Sequence, residues 1–206
     1  HPQSKYPLKR SARLQNEEFM KKIFKMPTHV KITGRTSSIT NAFVNGIIPV
    51  IEPTDEEIED VLQTLGMDKE HITCVYCGNS YTEWDHFRPL VKNKMPTGYI
   101  SEIHNLVPSC GKCNQSKGNM NWKTWMLGTA PLSPHSRQIP DIEYRIAKLE
   151  EFERHYTPVQ LDFEKIVGTE IWKQHWENCR KLHSLMQESQ KHSDTIKKLI
   201  NVSINN

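Results

Sequence analysis

Three stretches of the chain carry apolar residues at helical spacing. From Thr54 to Met67, Ile58, Val61, Leu62 and Leu65 recur every three or four positions before Gly66. Thr54 followed by Glu57 is a capping-box pair, so this stretch is predicted to be an amphipathic helix with its acids on a solvated face. A second helix is predicted from Asp141 to Tyr156, just after Pro140. A third is predicted from about Asp162 towards Ile200, where Phe163, Ile166, Val167, Ile171, His175, Cys179, Leu182 and Met186 share one stripe. Such a stripe belongs to a core or a dimer seam. Residues 128–140 hold Pro131, Pro134 and Pro140 among small polar residues and read as a linker. Residues 99–104 read as either a strand or a loop, with Gly98, Tyr99 and Ile100 leaning towards a strand. No internal repeat is visible.

Composition narrows the class. The 206 residues are 36% apolar and 25% charged, with a mean hydropathy of −0.67, which describes a polar globular chain of one domain or a small pair. No apolar run approaches the ~20 residues that a membrane-spanning helix needs. Residues 1–13 contain no apolar block ahead of a small-residue cleavage site, so no secretory leader is read there.

The net charge of +3 hides a segregation. Residues 1–51 carry nine basic side chains (Lys5, Lys9, Arg10, Arg13, Lys21, Lys22, Lys25, Lys31 and Arg35) against Glu17 and Glu18. Residues 52–71 carry eight acids and one Lys. From His86 to Arg137 seven basic side chains stand against Glu102 alone. Two basic tracts therefore flank an acidic helix, a footprint suited to a polyanion.

Five cysteines, four of them in Cys74-x-x-Cys77 and Cys110-x-x-Cys113, do not form a secreted disulfide framework; the expected compartment is intracellular and reducing, in the cytoplasm. The two pairs can supply four thiolates to a tetrahedral zinc ion, with a redox dithiol as the competing reading. Cys179 lies on the helical stripe and is expected to be a buried apolar residue.

Between the pairs stand Trp84-Asp85-His86-Phe87-Arg88-Pro89 and His104-Asn105-Leu106-Val107-Pro108, and Asn114-Gln115-Ser116-Lys117-Gly118 follows the second pair. This order closely resembles the HNH endonucleases, the ββα-metal nucleases, over Cys74 to Gly118, about a fifth of the chain. The resemblance implies an α+β fold: a central ββα-metal motif with a four-cysteine structural zinc site, flanked by a basic N-terminal segment and a mainly helical C-terminal region. It also implies a division into 1–71, a nuclease core at 72–128, the linker at 129–140, and helices at 141–206. In this reading Asp85 and Asn114 bind the catalytic Mg²⁺ or Mn²⁺. His86 is the general base, and Asn105 holds either the backbone or the His86 ring. The segment from Asn114 should open a helix running through Trp122 and Trp125 towards Leu127.

An imidazole suits the base because its pKa lies near neutrality, and hard oxygen ligands suit Mg²⁺ or Mn²⁺ as thiolates suit zinc. Lys117, Arg88 and Arg35 are candidates for contacting DNA phosphate. His104 stands where the family often has an acid. It either assists the site, pairs with phosphate or packs. Residues 34–46, rich in Ser, Thr and Asn, read equally as a DNA-contacting segment or as the capped start of a helix. Trp122, Trp125, Trp172 and Trp176 are expected to pack rather than to form a single-strand platform.

The plan is similar to a restriction endonuclease acting on double-stranded DNA as a homodimer, since one motif cuts one strand. Homing or nicking HNH enzymes share the same centre. The alternative from another class is a zinc-stabilised DNA-binding module without catalysis.

Overall fold

The computed structural model of the protein describes residues 17–205. Lys5, Lys9, Arg10 and Arg13 of the basic tract, and the stretch read as lacking a leader, lie outside the described residues. After helical residues 17–23 and a 3-10 turn at Ile32–Arg35, the order is α1 (Thr36–Asn45), α2 (Asp55–Thr64), β1 (Glu83–His86), β2 (Val91–Lys92) and β3 (Met95–Pro96). A 3-10 turn at Ile103–Asn105 leads into β4 (Leu106–Ser109), α3 (Gly111–Lys117), α4 (Trp122–Met126), α5 (Ile142–His155), α6 (Phe163–Val167) and α7 (Thr169–Ile204). The fold is mixed α and β. No helix among the described residues is long and apolar enough to cross a membrane.

Helix α2 starts where the capping box places it. The Glu57 amide donates to Thr54 Oγ1 (3.2 Å) and the Thr54 amide donates to Glu57 Oε1 (3.1 Å). Asp55, Glu56 and Glu57 in the first turn oppose the positive end of the helix dipole. Val61, Leu62 and Leu65 are buried, while the outward acids stay in water.

Strands β1 and β4 pair antiparallel with Asp85 opposite Val107 and His86 opposite Leu106, and α3 follows β4 after one residue, Cys110. Strands β2 and β3 form a tight hairpin whose central Asn93 and Lys94 both take positive φ (52° and 60°), the signature of a turn that matches strand twist. One hydrophobic core unites these parts: Phe87 lies against Trp122 and Phe152, and Tyr76 meets the Trp125 ring edge-on. Val61 and Leu65 of α2 and Leu149 and Phe152 of α5 belong to the same cluster as the cysteines. The core therefore runs across the boundaries expected at 71/72 and 140/141, and both helices pack directly on the 72–128 region.

Several local expectations are corrected. The helix expected to run from Asn114 to Leu127 is two helices, because Gly118 turns the chain with φ 52° and Asn121 then caps α4 through Oδ1. The long C-terminal helix is likewise broken at Gly168 (φ 89°), a conformation that costs least for glycine. Its stripe is not core throughout: Cys179 is buried, whereas Ile166, Val167 and Ile171 are exposed. Residues 99–104 make a single parallel bridge, Val50 with Ser101, and then the 3-10 turn, instead of a strand. The proline-rich stretch is an ordered cap, with Ser133 fully buried and its hydroxyl donating to the Gly128 carbonyl (2.8 Å). Within residues 34–46, Thr36–Asn45 form α1, whose Thr40 hydroxyl meets His183 Nε2 (3.3 Å) and whose Phe43 carbonyl accepts from His175 Nε2 (2.8 Å). The segment is therefore a helix packed on α7, but its N-cap residue, Arg35, makes no side-chain capping bond.

Candidate functional site

Strand pairing brings the two cysteine pairs together. The Val75 amide donates to the Pro108 carbonyl and the Thr82 amide to the Ser109 carbonyl (both 2.9 Å), which extends the β1–β4 pairing towards both knuckles. Cys110 caps α3 and Cys113 lies in its first turn. All four cysteines are buried, and their Sγ atoms lie within 4.8 Å of one another. The Cys77–Cys110 separation is 3.7 Å, close to the ~3.8 Å that tetrahedral Zn–S bonds of about 2.3 Å impose. In the absence of a cation, hydrogen bonds from Cys113 and Cys74 favour a thiolate at Cys77. Bonds to Cys74 and Cys77, with burial, push Cys113 far up. Four thiolates in this space need a divalent ion, and the donor set fits zinc. Arg137 reaches in from the ordered cap to Cys113 Sγ (3.2 Å), and Arg145 of α5 donates to the Cys74 carbonyl (3.2 Å).

Beside this cluster, the strand period of two sends Asp85 and His86 to opposite faces of β1. Asp85 is 4% exposed, and its Oδ2 accepts from the Tyr76 hydroxyl (2.6 Å) and pairs with Lys117 Nζ (3.0 Å). Burial and the Asp85 charge raise the Tyr76 pKa well above its ordinary value, so the phenol remains a donor. Lys117 Nζ also donates to the His86 carbonyl (3.0 Å). Lys117 is 1% exposed, so the structure places it inside the site and not on the surface where it was expected to meet phosphate. Its loss would leave a buried carboxylate without its counter-charge. Lys117→Met is expected to destabilise the fold by about 3–5 kcal/mol, measured by urea unfolding of zinc-loaded protein. A change below ~1 kcal/mol, as for an exposed pair, would contradict the buried placement.

His86 is half-buried, and its Nε2 lies 2.8 Å from Ser101 Oγ. Burial lowers its pKa below the ordinary imidazole value; Asp85 opposes this and Lys117 adds to it. Asn105 is fully buried. Its Oδ1 accepts from the Arg88 amide (2.7 Å) and its Nδ2 donates to the Arg88 carbonyl (2.9 Å), so it splints the backbone just past His86 and does not touch the ring. Asn114 Nδ2 donates to Glu83 Oε1 (2.9 Å). Among the described residues nothing donates to Oδ1 of Asp85 or to Oδ1 of Asn114. Two hard oxygen atoms are thus left over, which fits Mg²⁺ or Mn²⁺.

Arg88 differs from expectation. Its Nη2 donates to the Tyr156 (2.8 Å) and Glu153 (3.3 Å) carbonyls, so it caps the negative end of α5 and is not available to phosphate. His104 stacks flat on Tyr156, ring centres 4.8 Å apart, and packs. Arg35 is exposed at the end of its 3-10 turn. Trp122 and Trp125 are buried, and Trp172 and Trp176 pack edge-to-face.

Sequence reasoning missed three residues of this site: Tyr76, Glu83 and Ser101. Glu83 had a readable signal, since an acid two positions before Asp85 on a strand shares its face. Tyr76 and Ser101 become visible only through contacts distant in sequence.

Residues 74–120 match the HNH endonuclease family model. A CRISPR-associated endonuclease Cas9 from Corynebacterium diphtheriae is 32% identical over 75 residues, 34% of this chain and 6% of that protein. The chain thus spans only a small part of that relative's length. No solved structure gives a significant match. Residues 74–120, the segment assembled around β1, β4 and α3, are thus similar to the HNH endonuclease domain.

Proposed function

We propose that this chain is a metal-dependent endonuclease that hydrolyses phosphodiester bonds of double-stranded DNA, with His86 as the general base. The observation that carries this reading is the arrangement at the end of β1. His86, favoured as neutral imidazole by its burial, is adjacent to Asp85, whose Oδ2 is fixed by Tyr76 and Lys117 and whose Oδ1 is left for a hard cation. Asp85 and Asn114 would hold Mg²⁺ or Mn²⁺, which would supply positive charge where negative charge accumulates on the phosphate. His86 takes the proton of the attacking water. Asn105 keeps the chain beyond the base fixed. Cys74, Cys77, Cys110 and Cys113 would hold zinc, which would fix α3, and so Asn114, in place. With Lys117 and Arg88 occupied internally, phosphate contact falls to exposed basic side chains: Lys92, Lys94, Lys112 and Arg35.

The sign of the His86 shift gives a pH expectation. Protonation removes the base, and a lowered pKa moves that loss to more acid conditions. Single-turnover cleavage at saturating metal and DNA should therefore rise with pH and level off with a midpoint below 6.5, the ordinary imidazole value. A midpoint well above 6.5 would contradict a base desolvated as described.

Within this reading we take the enzyme to be a restriction endonuclease working as a homodimer in a reducing, intracellular compartment. Exposed Leu185, Ile196, Leu199 and Ile200 on α7 support a helical partner. Thiols that serve zinc must stay reduced. The likeness to a CRISPR-associated endonuclease favours a second reading, a nuclease outside restriction; with one motif per chain, its form is a homing or nicking enzyme. Incubation with unmodified phage DNA and supercoiled plasmid separates them: discrete bands support sequence-specific double-strand cutting, and open-circle plasmid alone supports nicking. Absence of metal-dependent cleavage by zinc-loaded protein on several DNAs would favour the non-catalytic binding module.

A further inference from the structure

We propose that Ser101, held by the backbone of residues 49–51, is the positioning residue that sets the His86 ring for base catalysis. The inference rests on the nuclease reading of His86 and extends it to a part of the chain outside the 74–120 family match. Its first observation is the 2.8 Å contact between Ser101 Oγ and His86 Nε2. Among the described residues this hydroxyl is the ring's hydrogen-bond partner, and the hydroxyl makes no second bond.

The second observation is independent of the ring. The Ser101 amide donates to the Pro49 carbonyl (3.1 Å), and the Ile51 amide donates to the Ser101 carbonyl (2.8 Å). Both backbone groups of Ser101 are thus clasped on either side of Val50, as a parallel bridge. Val50 itself is 78% exposed, so the segment contributes backbone and not packing. It is anchored at both ends: Ile48 is buried before it, and the Thr54 capping box starts α2 after it, with Val61 and Leu65 in the central core. A short segment pinned at both ends therefore fixes the side chain that is hydrogen-bonded to the base.

The chemistry follows from the two imidazole nitrogens. A neutral ring carries one N–H. The Ser101 hydroxyl can accept from Nε2–H or donate to a bare Nε2. Base catalysis from Nδ1 requires the first arrangement, in which the proton is held on Nε2 and the Nδ1 lone pair takes the proton of water. The same bond stops the half-buried ring from turning about its Cβ–Cγ bond. Without it, the ring divides its time between tautomers and orientations, and only a fraction is productive.

The test compares wild type with Ser101→Ala, Ser101→Thr and His86→Ala, all zinc-loaded. Ser101→Ala is expected to lower kcat roughly tenfold or more with KM for DNA unchanged, and Ser101→Thr, which keeps the hydroxyl, to recover most of the rate. Long-range ¹H–¹⁵N spectra of neutral His86 should show the Nε2–H tautomer in wild type and a mixture in Ser101→Ala. This readout needs no turnover and also reports that the variant is folded. Unchanged kcat and tautomer in Ser101→Ala, with His86→Ala inactive, would overturn the positioning role and leave the nuclease reading intact. A faster Ser101→Ala enzyme would also overturn it, since the serine would then be restraining the base. Full activity in His86→Ala would remove the base itself, and the proposal with it.

Discussion

His86→Ala is expected to lower single-turnover DNA cleavage by roughly 10²- to 10⁴-fold, the usual contribution of a general base, with little change in zinc content or thermal unfolding. The separation of activity from stability follows from the surroundings of the residue. The ring is half-buried and bonded to one side-chain hydroxyl, Ser101, so its removal opens no large core cavity. What His86 gives the fold comes from its backbone: the register with Leu106 and the carbonyl that accepts from Lys117. Alanine keeps both. The check is a single-turnover time course beside zinc quantitation and a melting curve. A variant that lost zinc or unfolded along with its activity would show that His86 is a structural residue.

Removing zinc is expected to do the opposite, abolishing structure and activity together. Cys74 and Cys113 are fully buried, and Cys113 immediately precedes Asn114 in the first turn of α3. Without the ion these thiols repel as thiolates or stay protonated with nothing to hold them together. The Arg137 contact to Cys113 loses its anionic partner as well. Structural zinc in small domains contributes on the order of 10–16 kcal/mol of apparent binding energy, as large as the whole usual stability of a domain, about 5–15 kcal/mol. Chelation or Cys113→Ser should therefore release amide-exchange protection across residues 74–118 and shift the emission of the buried Trp125, which meets Tyr76 edge-on. Helix α7 should persist, because it packs on α1 and not on the knuckles. Retained protection in the zinc-free protein would contradict the structural role of the site.

What the sequence made legible is what short-range rules govern. The capping box at Thr54 and Glu57 and the helix at 142–155 follow from local hydrogen bonding and periodicity, and both stand in the structure. The cysteine pairs were readable because ligand spacing is itself a chemical constraint. Lys117 and Arg88 were misplaced for one common reason. Long cationic side chains are usually solvated, and nothing local shows that Asp85, 32 positions before Lys117, or the carbonyl end of α5 will be waiting for them. The break at Gly168 was hidden because apolar residues continue at helical spacing through it, with Ile166 and Val167 before and Ile171 after; Gly118 lies in a polar run, Asn114 to Asn119, where no apolar period argued for a continuous helix. The proline-rich stretch looked like a linker for the converse reason: its order comes from Ser133 and from Arg137 on a thiol 24 positions away, not from its composition.

The most direct measurement is cleavage of supercoiled plasmid by zinc-loaded wild-type and His86→Ala proteins, with Mg²⁺ or Mn²⁺ and with a chelator that spares the structural zinc. The arrangement around β1 predicts strand scission by wild type only with the added metal, and at least roughly 10²-fold slower scission by a folded, zinc-loaded His86→Ala protein under the same conditions. Equal cleavage by both proteins, or no cleavage by wild type with either metal, would contradict it.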